Sequence, residues 1–141
     1  VQPADLNGGN RLFGGVLLNW IDEVAAIVAM RHAGIKTVTT AAIDNLQFKA
    51  PVYAGQMVVL VGRVTYVGSS SMEIRIDSYV EELDGIRRPI NRAYIVMVAI
   101  DEDGNPVEVP ELELESEEQK MEYESAIKRK EMRKQRRIDG F

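Results

Sequence analysis

The stretch LNGGNRLFGGVLLNWIDEV, residues 6 to 24, decides the fold of this chain. It contains two glycine pairs, and an apolar run with helical spacing follows the second pair. Glycine is a poor helix former, so a glycine pair at the start of a helix needs a local reason. An acid, Asp22, lies inside the apolar run, although burying an unpaired charge is costly. The stretch therefore predicts a buried helix that also carries polar chemistry.

The predicted helix extends from Phe13 to about His32. Gly34 follows it and provides a C-terminal stop. Because apolar residues cover most of its circumference, we expect the helix to be buried on several sides. Alanines separate the larger apolar residues, which are Val16, Leu17, Ile21, Val24, Ile27 and Val28.

Four segments rich in β-branched or alternating residues follow the helix. They are joined by short connections, which imply antiparallel neighbours. We therefore expect an α+β fold in which a curved antiparallel sheet wraps the central helix. The predicted strands span residues 37–48, 57–68, 71–83 and 88–101.

The last part of the chain, 116–137, is predicted to form a solvated helix. Ser116 and Gln119 match a capping box, and early acids with late bases complement the helix dipole. A few apolar residues are enough to dock this helix on a neighbour. We expect one domain over 1–115 and a charged helical tail over 116–141. The apolar docking residues are Met121, Tyr123, Ala126, Ile127 and Met132.

Composition narrows the class of protein. The chain has 141 residues, a net charge of -5 and no cysteine. The charge argues against a nucleic-acid binder, and the lack of cysteine excludes thiolate metal sites and cysteine nucleophiles. No apolar run is long enough to span a membrane. We expect a cytoplasmic protein with no metal site. The chain opens on Val1 rather than on methionine, so we expect that native N-terminal residues precede it.

Gly14 and Gly15 lie where a helix start leaves backbone N–H groups unpaired. These groups suit a phosphate or a developing oxyanion, although the glycines alternatively make only a tight turn. Asp22 has no basic residue at helical neighbour positions, so it either faces solvent or lies in a cleft. Because a sheet is expected to wrap the helix, the position of Asp22 in a cleft is favoured. Glu23, the next residue, is the alternative candidate for the functional acid. For Asn7 the simplest interpretation is turn formation.

Several ordered blocks of sequence resemble one known family. The blocks are PADLNGGNRLFGGVLLNWIDEVAAIVAMRHAG, VTTAAIDNLQFKAPVYAGQ, VGSSSMEIRI and AYIVMVAIDEDGNPVEVP. They resemble hotdog-fold acyl-CoA thioesterases, more narrowly the YciA-like group and the brain-type cytosolic acyl-CoA hydrolases. The resemblance covers about residues 3 to 110. Asn10 departs from the pattern, because the YciA-like members often have glycine there.

The resemblance implies a five- or six-stranded sheet, with an N-terminal strand before Val1. It also implies a homohexamer built as a trimer of hotdog dimers, with active sites between subunits. It implies hydrolysis of fatty acyl-CoA, with Asp22 as general base or nucleophile and Asn7 orienting the water or the carbonyl. Gly14 and Gly15 would hold the oxyanion. Coenzyme A is part of the substrate, so no cofactor is expected. The implied substrate-binding residues are Gly14, Phe48, Lys49, Pro51, Gly68, Ser69, Ser70 and Ser71.

Cations for the coenzyme A phosphates could come from several places, namely Arg31, Lys49, Arg63 or the basic tail. Two alternative functions stay open. A hotdog dehydratase would need a catalytic histidine, but His32 lies at the far end of the helix, where a structural role is the simpler interpretation. A non-catalytic acyl-CoA sensor would keep the pocket without needing Asp22.

Overall fold

A computed structural model describes residues 1–44 and 46–141 of the chain. The predicted helix and strands are all present, and most boundaries shift by only one or two residues. The strand predicted over 37–48 is the exception, because residues 46–49 have no regular structure and position 45 lies outside the described residues. The elements are a 3-10 turn at Pro3–Asp5, α1 at Gly14–Ala33, β1 at Val38–Asp44, β2 at Met57–Val67, β3 at Ser71–Glu81, β4 at Arg87–Ala99 and α2 at Glu117–Asp139.

The sheet is antiparallel, with strand order β1-β4-β3-β2. Helix α1 contacts all four strands, and the strand side chains beneath it, such as Ile74, Ile76 and Ile95, are fully buried. This arrangement confirms the expected α+β fold. Within the described residues the sheet has four strands, fewer than the five or six that the resemblance implies.

Helix α1 buries a single stripe of residues one helical turn apart. Leu17, Ile21, Ala25 and Ala29 form this stripe, while Ile27 on another side is 51% exposed. The prediction of burial on several sides is therefore wrong for a single chain, because one sheet covers only one side of a helix. The helix ends as expected at Gly34, whose φ of 70° is left-handed.

The cap of α2 differs in one detail from the predicted capping box. The Ser116 side chain accepts a hydrogen bond from the Gln119 backbone N–H at 3.2 Å, as expected. The Gln119 side chain, however, accepts from the N–H of Glu115 rather than from that of Ser116. The helix start is therefore stabilised by both side chains, but the reciprocal bond is made one residue upstream.

Apolar docking of α2 uses fewer residues than predicted. Ala126 is fully buried, and the Tyr123 ring contacts Tyr66 with 4.9 Å between centroids. Met121 and Met132 are 67% and 63% exposed, so their predicted docking role is wrong. The same holds for Ile127, which is 43% exposed. These side chains bury little surface, so another interaction must hold the helix.

Arginines of the basic run hold α2 on the sheet. Glu73 of β3 is only 1% exposed, and it accepts hydrogen bonds from Arg129 at 2.7 Å and Arg133 at 2.9 Å. Asp44 of β1 binds Arg133 at 2.9 Å and Arg136 at 2.6 Å. The expectation of a solvated basic helix is therefore corrected, because three of its arginines contact the sheet.

Neither helix, α1 nor α2, combines the length and the apolar composition that crossing a bilayer requires, as judged over the described part of the chain.

Candidate active site

A cleft of about 490 Å³ opens beside the start of α1. Two backbone hydrogen bonds assemble its walls: the N–H of Leu12 donates to Val52 at 2.7 Å, and the N–H of Lys49 donates to Ile90 at 3.0 Å. The walls are mostly apolar with a few polar groups, the composition typical of a ligand site. The cleft brings together five of the predicted site residues, which are Asn7, Gly14, Phe48, Lys49 and Pro51.

Two aromatic rings packed at the start of α1 explain why Gly14 and Gly15 are glycines. Phe13 precedes the helix in an extended conformation and makes no side-chain cap. A Cβ on Gly14 would lie 3.1 Å from the Phe48 ring, and one on Gly15 would lie 2.8 Å from the Phe13 ring. Two aromatic rings therefore occupy the space that side chains would need. The glycines do more than make a turn, because they let these rings close over the helix start.

The first N–H groups of α1 remain available to a ligand. The N–H groups of Val16 and Leu17 both donate to the Phe13 carbonyl, whereas those of Gly14 and Gly15 have no acceptor within the described residues. Gly14 lines the cleft and Gly15 does not. An oxygen that carries negative charge is stabilised at such a position.

Asn7 shapes the loop that forms one wall of the cleft. Its side-chain oxygen accepts from the N–H of Gly9 at 2.9 Å and of Arg11 at 3.2 Å. Its own N–H donates to the carbonyl of Arg11 at 2.8 Å. Turn formation is therefore confirmed for Asn7. Within the described chain the Nδ2 group has no protein acceptor, so it is free to bind a ligand in the cleft.

Asp22 is partly buried and has a partner that the sequence did not reveal. The Thr40 hydroxyl of β1 donates to Asp22 Oδ1 at 2.7 Å. Glu23 is exposed, and among the described residues its carboxylate accepts only from Asn19 on the same helix face, at 3.3 Å. The geometry favours Asp22 over its rival, because only Asp22 is oriented by another element. No sequence signal marks Thr40, which is 18 positions away.

Asp22 and the free N–H groups are too far apart to act on one carbonyl within one chain. Eight residues separate Gly14 from Asp22, which corresponds to about 12 Å along the helix axis. Groups that act on a single reacting centre lie within about 3 Å of it or of its attacking water. Asp22 is also absent from the residues that line the cleft.

The predicted segment from Gly68 to Ser71 lies elsewhere in the molecule. It forms the tight turn between β2 and β3, closed by the Gly68 N–H donating to Ser71 at 2.8 Å. Ser71 pairs with Val98, whereas the cleft contacts β4 at Ile90. Eight residues of strand span about 27 Å. The single chain therefore does not bring this turn to the cleft.

Two of the four predicted sources of phosphate-binding cations have carboxylate partners, and Arg31 has none among the described residues. Arg63 binds Glu122, and this hydrogen bond, reinforced by the carboxylate charge, raises the pKa of Arg63 above its usual value. The basic tail binds the sheet through Arg129, Arg133 and Arg136. Lys49 has no carboxylate partner among the described residues.

His32 has a structural contact, as predicted. Its Nε2 lies 2.8 Å from the carbonyl oxygen of Pro110. A carbonyl only accepts, so Nε2 carries the hydrogen and donates. Among the described residues no group of three or more histidines and acids is arranged to hold a metal ion.

Comparison with known proteins identifies the family to which this chain belongs. Residues 9–85 match the Thioesterase superfamily. The chain is 40% identical over 138 residues to the acyl-CoA thioester hydrolase YkhA of Bacillus subtilis, a protein described as uncharacterized. This match covers 97% of this chain and 80% of that protein. The chain belongs to the thioesterase superfamily, and its fold is the hotdog fold.

Solved structures agree with this assignment. A hexameric acyl-CoA thioesterase solved without ligand is 42% identical, with a TM-score of 0.90 over 96% of this chain and 87% of that one. The acyl-CoA hydrolase of Staphylococcus aureus, solved with butyryl coenzyme A and coenzyme A, is 38% identical, with a TM-score of 0.91 over 99% and 85%. Further structures of that enzyme carry alanine in place of an aspartate, an asparagine or a threonine.

Proposed function

We propose that this chain hydrolyses fatty acyl-CoA to a free fatty acid and coenzyme A. The observation that carries the proposal is an apolar cleft that contains the free N–H of Gly14 at the start of a helix. The apolar walls suit an acyl chain or a pantetheine arm, and the N–H suits the carbonyl oxygen of a thioester. Family membership and the coenzyme A bound to the Staphylococcus aureus enzyme support the same substrate class.

In the proposed reaction Asp22 either takes a proton from a water that attacks the thioester carbon or attacks that carbon itself. Negative charge develops on the carbonyl oxygen and is stabilised by the N–H of Gly14, with Gly15 as a second donor. Asn7 Nδ2 orients the water or the carbonyl. The C–S bond breaks and coenzyme A leaves as a thiolate. If Asp22 acts as the base, the water oxygen becomes part of the free acid, and the proton held by Asp22 passes to the thiolate. If Asp22 acts as the nucleophile, the acyl group forms an anhydride with Asp22, and water then hydrolyses this anhydride, which releases the free acid, regenerates Asp22 and supplies the proton for the thiolate. No cofactor takes part in either route.

We propose that each active site combines two chains. Asp22 and the N–H of Gly14 are about 12 Å apart along one helix, so a second copy would supply its Asp22 to the cleft of the first. Hexamers among the solved relatives support an oligomer, and we propose a trimer of hotdog dimers. A cytoplasmic location stays a prediction.

Residue spacing in the Staphylococcus aureus enzyme supports the choice of residues. There the replaced asparagine and aspartate are 15 positions apart, and the replaced threonine lies 17 positions after the aspartate. Asn7, Asp22 and Thr39 have the same two spacings in this chain. We therefore add Thr39, which the sequence had not marked, to the proposed site.

The first test is free-thiol release from acyl-CoAs of increasing chain length, with Asp22→Asn alongside the wild type. We expect a chain-length optimum in the wild type and a loss of turnover in the variant. Retained acyl-CoA binding without turnover by the wild-type protein would instead support the sensor.

Subunit mixing tests the shared site. Asn7→Ala and Asp22→Asn proteins, each impaired alone, are unfolded, mixed and refolded together. If the two residues of one site come from different chains, some mixed dimers contain one intact site, and activity returns above that of either variant. If both residues of one site come from the same chain, every site contains one of the two substitutions and activity stays low. Each variant refolded alone is the control.

A further inference from the structure

A β-bulge in β4 buries two consecutive residues beside the active-site cleft. Positions 78 and 79 of β3 pair with Asn91 and Pro89 of β4, so Ile90 between them is an extra residue. Such a residue interrupts the alternation of a strand and re-aims the neighbouring side chains. Ile90 is 1% exposed and Asn91 is 3% exposed. The bulge therefore buries an amide side chain next to Ile90, which lines the cleft.

Asn91 ties an irregular segment of the chain to β4. Its Nδ2 group donates to the carbonyl oxygen of Gln47 at 2.6 Å. The N–H of Lys49 donates to the carbonyl oxygen of Ile90 at 3.0 Å. These two hydrogen bonds lie on either side of Phe48. Because the tied segment has no regular structure, strand pairing does not fix it, and the two bonds define its position.

The tied segment places the Phe48 ring at the start of α1. The ring lies 3.1 Å from the position that a Cβ on Gly14 would occupy, and both residues line the cleft. Phe48 is 53% exposed, so packing alone holds the ring weakly. Its position therefore depends on the backbone that carries it, and the bond from Asn91 fixes that backbone.

The fold by itself does not favour asparagine at position 91. Asparagine is depleted in strands, and Asn91 Oδ1 is buried without a hydrogen-bond partner in the described part of the chain. An unpaired buried acceptor costs free energy, which an apolar residue of similar size would avoid. The bond to Gln47 is what asparagine provides here and an apolar residue does not.

We propose that Asn91 is a positioning residue of the active site. Through the carbonyl of Gln47 it holds the Phe48 ring against Gly14, and the ring in turn sets the width of the cleft that receives the thioester. Asn91 itself does not line the cleft, so it acts only through Phe48. The inference rests on the proposed function and deepens it.

Asn91→Leu tests the bond, because leucine has a similar size, makes no side-chain hydrogen bond and removes the unpaired oxygen. We expect KM for an acyl-CoA to rise about fivefold, which corresponds to the loss of one neutral hydrogen bond. We expect kcat to change little, because Asp22 and the N–H of Gly14 stay in place. The urea midpoint should equal or exceed that of the wild type.

Ser78→Ala is the matched control. Ser78 lies directly opposite Asn91 in the sheet, and its Oγ is also buried without a partner among the described residues. It makes no bond to the segment that carries Phe48, so its KM should equal that of the wild type.

A double-mutant cycle separates positioning from a general effect on the core. Phe48→Ala, Asn91→Leu and the double variant are assayed on the same acyl-CoA. If Asn91 acts through Phe48, the double variant has the KM of Phe48→Ala alone, whereas independent effects multiply. Multiplied effects, an unchanged KM in Asn91→Leu, or an equal rise in Ser78→Ala would overturn the proposal.

Calorimetry with a non-hydrolysable thioether analogue of the acyl-CoA distinguishes this inference from the proposed function. A Kd raised about fivefold in Asn91→Leu, without turnover of acyl-CoA by the wild type, would support the positioning role and overturn hydrolysis. Turnover by the wild type, with KM and Kd unchanged in Asn91→Leu, would overturn the positioning role alone. A wild-type protein that does not bind the analogue would overturn both.

Discussion

Thr40 binds one carboxylate oxygen of Asp22, and the other oxygen has no hydrogen-bond partner within residues 1–44 and 46–141. The hydroxyl donates to Oδ1 at 2.7 Å and also lies 3.5 Å from the sulfur of Met97. A carboxylate bound on one side has a defined orientation, and its second oxygen can accept a proton or attack a carbon. Thr40 is therefore a positioning residue in the proposed mechanism, since it would act only through Asp22.

We predict that Thr40→Val lowers kcat about tenfold and leaves KM nearly unchanged. Valine keeps the shape of threonine but removes a hydrogen bond to a charged group, which contributes about 1.5 kcal/mol or more. Thr40→Ser retains the hydroxyl and should restore most of kcat. Steady-state kinetics on one acyl-CoA measures both. A loss in Thr40→Ser as large as that in Thr40→Val would contradict the role of the hydroxyl.

At the scale of elements, α2 is bound to the sheet mainly by charge. The buried carboxylate of Glu73 accepts from Arg129, Arg133 and the hydroxyl of Thr65, which is 2.7 Å away. The Arg129 guanidinium also stacks over the Tyr94 ring, 3.7 Å from its centroid. A buried carboxylate is tolerated only with such partners. The basic run of the sequence is therefore part of the fold.

We predict that Glu73→Gln lowers the free energy of unfolding by about 3 kcal/mol, because it leaves the partly buried Arg129 without its anion and leaves Arg133 with Asp44 alone. Glu117→Gln is the control. It removes an exposed i,i+3 pair with Lys120 and should change stability by at most about 0.5 kcal/mol. Urea denaturation followed by circular dichroism measures both. Similar midpoints for the two variants would show that the buried network contributes little.

At the scale of the whole molecule, a single chain leaves large apolar side chains uncovered. Ile27 of α1 is 51% exposed and Phe13 at its start is 54% exposed. A second copy of this chain that packs on α1 would cover both side chains. The shared active site proposed above requires a second copy of this chain, and α1 carries both Gly14 and Asp22.

We predict that Ile27→Glu weakens assembly and lowers specific activity at low protein concentration, while the circular dichroism spectrum stays that of the wild type. A charge on a buried interface is costly unless it is paired. Lys36→Glu, an exposed change just after α1, is the control. Light scattering after gel filtration gives the mass of each species. An unchanged mass for Ile27→Glu would place this side chain outside the interfaces.

The sequence by itself determined the elements and their order. Periodicity placed α1 and the four strands, Gly34 marked the helix end, and Ser116 marked the start of α2, because each of these features depends on neighbours along the chain. Resemblance added the family, which the comparisons confirmed. It also indicated Asp22 and Asn7, whose catalytic roles stay predictions.

Only the tertiary structure decided which distant residues meet. Thr40 binds Asp22 across 18 positions, and Arg129 binds Glu73 across 56, and no local pattern encodes such contacts. The structure also showed that a single sheet covers α1 on one side, which leaves Ile27 exposed. The physical reason is that these contacts depend on how the elements pack against one another, whereas the distance of about 12 Å between Gly14 and Asp22 follows from the sequence and the helical rise.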